Sequence, residues 1–284
     1  MIHKPTTLDD ASGRRAVLVF HPPFAHHQSV TLHPTAHRPL LPRRLPSPAC
    51  RYPRHLLLLA LLVLGLAASS PLAGLDDLER LERIAAQRHG PETAERVRHW
   101  RDLLERVADD DERTQIREVN EFFNRMLLYQ DDQVTWGQED FWATPLEALD
   151  KGAGDCEDFT IAKYVSLRKL GVPDERLRLF YVVARMGGPG SNITQAHMVL
   201  GYFTDPGAEP LVLDNLVTFI EPASRRDDLT PIFSFNSEGL WPDGAERSAA
   251  DPTARLSRWR RVLEQMDADG IDLNRPITDT QGTQ

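Results

Sequence analysis

The sequence predicts an α+β fold, with a helical N-terminal part followed by an antiparallel sheet. Three observations predict it. Up to about Leu128, apolar residues recur at spacings of three and four, the repeat of an amphipathic helix. From Arg178 onward, short β-branched and aromatic runs alternate with Gly/Pro turns, as strands and hairpins do. Helices first and strands afterwards is the order of an α+β domain.

Residues 1–55 precede this pattern and do not share it. They are rich in Pro, His and Arg, have no sustained period, and hold Cys50 and seven of the ten histidines. They are expected to be a disordered extension, or to reflect a start codon assigned too far upstream. Residues 56–73 then combine a preceding basic flank (Arg51, Arg54), an apolar run from Leu56 to Leu66 and a small-residue exit through Ala73. Those are the parts of a secretory signal peptide. The run from Leu56 to Ala68 is 13 residues, short of the roughly 20 that a membrane-spanning helix needs. The domain proper is therefore expected over residues 74–284. It retains 25 Lys+Arg against 40 Asp+Glu, a formal charge of −15. Such a body repels nucleic acid and anionic membranes, and suits a divalent cation or a basic protein partner.

Within the domain, residues 75–88 place Leu75, Leu78, Leu81, Ile84 and Ala85 on one helical face. Gly90-Pro91-Glu92 ends that helix and opens the next, with proline and acid where a first turn tolerates them. Val97, Trp100, Leu104 and Val107 continue it, and residues 116–128 read as a third helix. The stretch 129–153 is irregular, with Trp136 and Trp142 in it and a short helix over 145–149. Residues 156–170 read as a largely buried helix closed by Gly171-Val172-Pro173. Strands are expected over 178–184, 197–203 and 210–214. The Gly187–Gly190 run would make a loop between the first two, and Asp205-Pro206-Gly207 a tight turn between the last two. A final helix is expected over 256–266.

Without the exported leader, Cys156 is the only cysteine. An unpaired cysteine outside the cytoplasm is either a buried bystander or a reactive thiol. Cys156 opens a helix, where unpaired N–H groups and the positive dipole end favour thiolate and could hold an oxyanion. Thiolate chemistry also needs an imidazole and an acceptor that fixes its tautomer. His197 is the one histidine downstream, 41 residues on and at the head of a strand; Asp214 lies 17 further, at the end of the next. If those strands are antiparallel neighbours, both ends meet at one edge of the sheet. Singly, each residue has a structural explanation: a buried Cys, a hydrogen-bonded His, a turn Asp. Their joint placement favours a Cys-His-Asp group. The flanking Asp155, Glu157 and Asp158 would raise the thiol pKa. Together with Glu139, Asp140 and Asp150 they offer hard oxygens for Ca²⁺, without EF-hand spacing.

These residues carry a family resemblance. Trp136-Gly137, Asp140-Phe-Trp-Ala-Thr-Pro145, Gly154-Asp-Cys-Glu-Asp-Phe159 with Ala162-Lys-Tyr164, Ala196-His-Met-Val-Leu200 and Leu213-Asp-Asn215 resemble the bacterial transglutaminase-like cysteine proteinases. The likeness covers roughly residues 75–235, with Phe141 where the family pattern has Tyr. It implies a papain/transglutaminase-like core with Cys156 as nucleophile, His197 as base and acid, and Asp214 as orienter. It also implies calcium on Asp155 and Glu157, to which Asp158 and Asp140 are added here as further ligands. The implied enzyme is a periplasmic endopeptidase that cuts the N-terminal region of a large surface adhesin at a paired-alanine site and so controls biofilm release. An inner-membrane cyclic di-GMP receptor would hold it inactive. Two rivals remain: a transglutaminase, in which an amine resolves the acyl-enzyme, and a catalytically idle adaptor that binds the receptor.

Overall fold

The computed structural model describes residues 77–277 except positions 206 and 246. The expected extension, the signal peptide, Cys50 and Pro206 of the expected tight turn lie outside the described residues.

Three helices come first: α1 (Asp77–Arg88), α2 (Pro91–Val107) and α3 (Glu112–Met126). Each buries the apolar stripe its sequence carries, such as Leu78, Leu81 and Ala85 in α1, and Ile116, Val119 and Phe123 in α3. Asp111 caps α3 by accepting the Thr114 N–H at 2.9 Å. The stretch expected to be irregular holds β1 (Leu128–Tyr129), α4 (Asp132–Thr135) and α5 (Pro145–Lys151). A Thr144/Glu147 capping box starts α5. Gly152, left-handed at φ 61°, ends it and turns the chain into β2 (Ala153–Gly154). β1 and β2 pair in parallel, Leu128 opposite Ala153 and Tyr129 opposite Gly154.

Next comes α6 (Cys156–Lys169), which is buried on nearly every side. Its Ser166 hydroxyl accepts from the Trp100 indole of α2 at 2.8 Å, and its Thr160 hydroxyl donates to the Met198 carbonyl of the sheet at 3.0 Å. Helical layer and sheet thus meet on α6.

The sheet comprises β3 (Leu177–Met186), β4 (Ile193–Tyr202), β5 (Leu211–Leu213), β6 (Glu221–Pro222), β7 (Leu229–Phe235) and β8 (Leu240–Pro242). Its order is β6-β5-β4-β3-β7-β8, and every pairing is antiparallel. Helices α7 (Pro252–Arg255) and α8 (Ser257–Asp269) close the chain. No described helix is long and apolar enough to cross a membrane.

The expected α+β class with an antiparallel sheet is what the structure has, but two details differ. His197 does not head its strand: β4 begins at Ile193, because β3 runs on to Met186 and supplies a hydrogen-bonded partner that far. The first residues of β4 are mostly exposed and burial begins at His197, so the apolar signal starts later than the strand. The sheet also has more strands than the three expected. β7 slots in beside β3 although Pro231 interrupts its sequence pattern; a register shift between Tyr181 and Val182 accompanies that pairing.

Candidate active site

The turn into α6 is shaped by close packing. A Cβ on Gly154 would come within 2.5 Å of the Asp158 carboxylate, so glycine is the residue that fits there. Asp155 follows in extended conformation at the N-cap, and its side chain makes no capping bond. Cys156 is then the first residue of the helix, free and buried. Its Sγ lies 2.8 Å from Glu157 Oε2, and the Met198 backbone N–H of β4 is near enough to favour the thiolate. Burial, followed by the Glu157 and Asp155 charges, pushes the thiol well above its ordinary pKa.

His197 of β4 and Asp214, just past β5, are both buried and hydrogen-bonded, Nε2 to Oδ1, at 2.8 Å. Three further groups hold Asp214. The Leu216 N–H donates to Oδ1 at 2.9 Å, Arg226 Nη2 to Oδ2 at 2.7 Å, and Asn124 Nδ2 to the main-chain carbonyl at 2.8 Å. Burial works to raise the Asp214 pKa, but the bonds from His197, Leu216 and Arg226 hold it well below the carboxylate range. An ionised Asp214 accepts from Nε2–H, which leaves Nδ1 of a neutral imidazole as the bare, basic nitrogen. Nδ1 is buried and has no hydrogen-bond partner. Lys163, on the Cys156 helix, is also buried near Asp214; desolvation brings its ammonium down to about 7 despite that carboxylate.

A second feature lies beside the thiol. Asp132, Asp155 and Asp158 each present a carboxylate oxygen, all within 4.8 Å of one another, and Asp155 and Glu157 form a like group with Cys156. The Phe141 N–H donates to Asp132 Oδ2, and the Ala143 N–H to Asp158 Oδ1 at 2.7 Å. Asp132 Oδ1, Asp155 Oδ1 and Asp158 Oδ2 remain buried without a partner. Burial is the largest cause raising all three acids, Asp132 to about 6. Converging carboxylates with unpartnered, desolvated oxygens are costly alone and form the donor set of a hard cation such as Ca²⁺.

The structure therefore pairs His197 with Asp214, puts Met198, the residue after His197, near Cys156 at the start of α6, and groups Asp155 with Glu157 and with Asp158 beside the thiol. Asp140 has other partners: Oδ2 pairs with Arg258 at 2.8 Å and Oδ1 accepts from the Trp142 indole at 3.0 Å. Asp150 is likewise engaged, by Thr93 and His89. Sequence reasoning missed Asp132, Arg226 and Lys163. Lys163 follows Cys156 by seven residues, so helical spacing could have put both on one face; the other two carry no local signal.

Residues 92–227 match the family described as bacterial transglutaminase-like cysteine proteinase BTLCP. Among solved structures the chain is similar to LapG of Legionella pneumophila. The EGTA-treated form is 36% identical, with a TM-score of 0.59, over 68% of this chain and 100% of that one. The calcium-bound form is 36% identical, with a TM-score of 0.58, over 66% of this chain and 98% of that one. No curated protein is similar enough to count as a match.

Proposed function

The chain belongs to the bacterial transglutaminase-like cysteine proteinases, and from that premise we propose that it is a calcium-dependent periplasmic cysteine endopeptidase acting through Cys156, His197 and Asp214. The observation that carries the reading is the buried 2.8 Å His197–Asp214 bond, which leaves Nδ1 free on a strand whose next residue, Met198, lies near Cys156.

In this reading His197 Nδ1 takes the thiol proton once Glu157 turns away, and the thiolate attacks the substrate carbonyl. The oxyanion forms against the N–H groups that open α6. Asp214, fixed by Arg226, holds the imidazolium while it returns the proton to the leaving amine. Water then attacks the thioester, His197 takes its proton, and Cys156 is released.

The unpartnered oxygens of Asp132, Asp155 and Asp158, with Glu157, fit calcium, and the calcium-bound form of LapG supports the choice of ion. When bound, the ion would offset the negative charge crowded around the thiol. Family likeness supports the rest: a large surface adhesin cut at paired alanines near its N-terminus, biofilm release, and restraint by an inner-membrane cyclic di-GMP receptor.

The test is cleavage of a purified adhesin fragment carrying a paired-alanine segment. The chain should cut it in calcium and stop when chelator is added. Cys156→Ala should retain the wild-type melting transition and cut nothing. Cleavage by that variant would sink the nucleophile assignment, and full activity in chelator would remove the metal.

A further inference from the structure

The sheet face that meets α6 carries a cleft that the chemistry above does not use. Strand register places it. Met198, whose backbone N–H lies near the Cys156 thiol, stands opposite Tyr181 of β3, and Tyr181 stands opposite Phe233 of β7. Cross-strand partners share a face of the sheet, so this row runs outward from the nucleophile. The Tyr181 and Phe233 rings stack, 5.2 Å apart and 9° from parallel. They floor a cavity of about 340 Å³, also lined by Trp142 and by the α7–α8 junction with Arg255 and Arg258. That volume is within the range of pockets that hold a ligand.

The wall is positive on a chain whose formal charge is −9. Arg258 is neutralised by Asp140, to whose carboxylate and carbonyl it donates at 2.8 and 2.6 Å. Arg255 is exposed at the end of α7 and has no acidic partner among the described residues. α8 opens at the same wall without a side-chain cap, so its dipole adds to that charge. An aromatic floor takes an apolar side chain, and an unpaired guanidinium at the rim takes a carboxylate.

We propose that this cleft is the substrate subsite on one side of the cut bond. It selects an apolar side chain that lies on Tyr181 and Phe233, together with an acidic residue paired with Arg255. The assignment rests on the protease reading above. The row Met198–Tyr181–Phe233 leads from the strand beside Cys156 into the cleft, so an extended peptide lying along that row delivers its carbonyl to Cys156.

The experiment is digestion of a proteome-derived peptide library by the purified chain in calcium, with residue frequencies read around each new terminus. The wild type should enrich Asp or Glu at one fixed position, next to an apolar residue. Arg255→Ala should erase the acid preference, and Arg255→Glu should move it to Lys or Arg at that same position. For matched acidic and neutral peptides, kcat/KM should differ by roughly three- to fivefold in the wild type, the size of an exposed ion pair. Cutting without acid preference, or a preference unchanged by Arg255→Glu, overturns the subsite while leaving the protease intact. If the wild type cuts no peptide, the protease reading falls and the subsite with it.

Discussion

Asp132 is the residue whose removal should report most directly on the acidic cluster. Asp132→Asn keeps an oxygen for the Phe141 N–H but removes the carboxylate charge that faces Asp155 and Asp158. Calcium affinity, measured by titration calorimetry, should fall about tenfold or more, and the rise in melting temperature on adding calcium should shrink with it. Unchanged affinity would take Asp132 out of the ligand set. This residue also marks a limit of what was legible in the sequence. Cys156 and His197 stood out because each is the only one of its kind where it matters, and Asp214 because of its distance along a strand pair. Asp132 lies 23 residues before Asp155 in a stretch without a period. Only the parallel β1–β2 pairing, with Tyr129 opposite Gly154, brings its segment next to Asp155. Asp140 shows the converse: its acid was visible, but its partner Arg258, 118 residues away, was not.

At the scale of the element, α6 carries several tasks along one face. Cys156, Thr160 and Lys163 follow at spacings of four and three, so they line up toward the sheet. Thr160 anchors that face to the Met198 carbonyl, and Lys163 sits near Asp214 without a hydrogen bond of its own. With a folded pKa of about 7 against about 10.4 when unfolded, Lys163 is a base the folded state prefers neutral. Between those values the unfolded chain holds a proton that the folded chain has given up. Stability should therefore rise with pH across that window, by up to about 1.4 kcal/mol per pH unit from this group. Lys163→Met should flatten that rise and leave the variant more stable than wild type below pH 7. Urea midpoints from pH 6.5 to 9.5 check it; an undiminished slope in the variant would refute the assignment. The sequence disclosed α6 through its glycine and proline stops rather than through periodicity, because a helix buried all round has no polar face to alternate with. β7 stayed hidden for the opposite reason: it is largely exposed and carries Pro231.

Across the molecule, α8 ties the two halves together. Trp259 is fully buried and meets Tyr164 of α6 at 5.6 Å and Phe235 of β7 at 5.4 Å, both edge-on. Phe235 in turn stacks on Trp142, 5.6 Å away, so a continuous aromatic path joins helix, sheet and the loop at the cleft. Arg261, two residues on, bonds both Glu147 of α5 at 3.2 Å and the Trp142 carbonyl. Trp259→Ala would empty the junction where these elements meet, and should cost about 3–5 kcal/mol. Trp259→Phe should cost clearly less. It leaves a smaller void, and it gives up an indole N–H that is already buried without a partner. Urea unfolding of both variants separates the contributions, since midpoints report stability while m-values stay constant. If Trp259→Ala cost no more than a surface substitution, within about 0.5 kcal/mol, α8 would be a surface attachment and the sheet and helical layer would hold together through α6 alone.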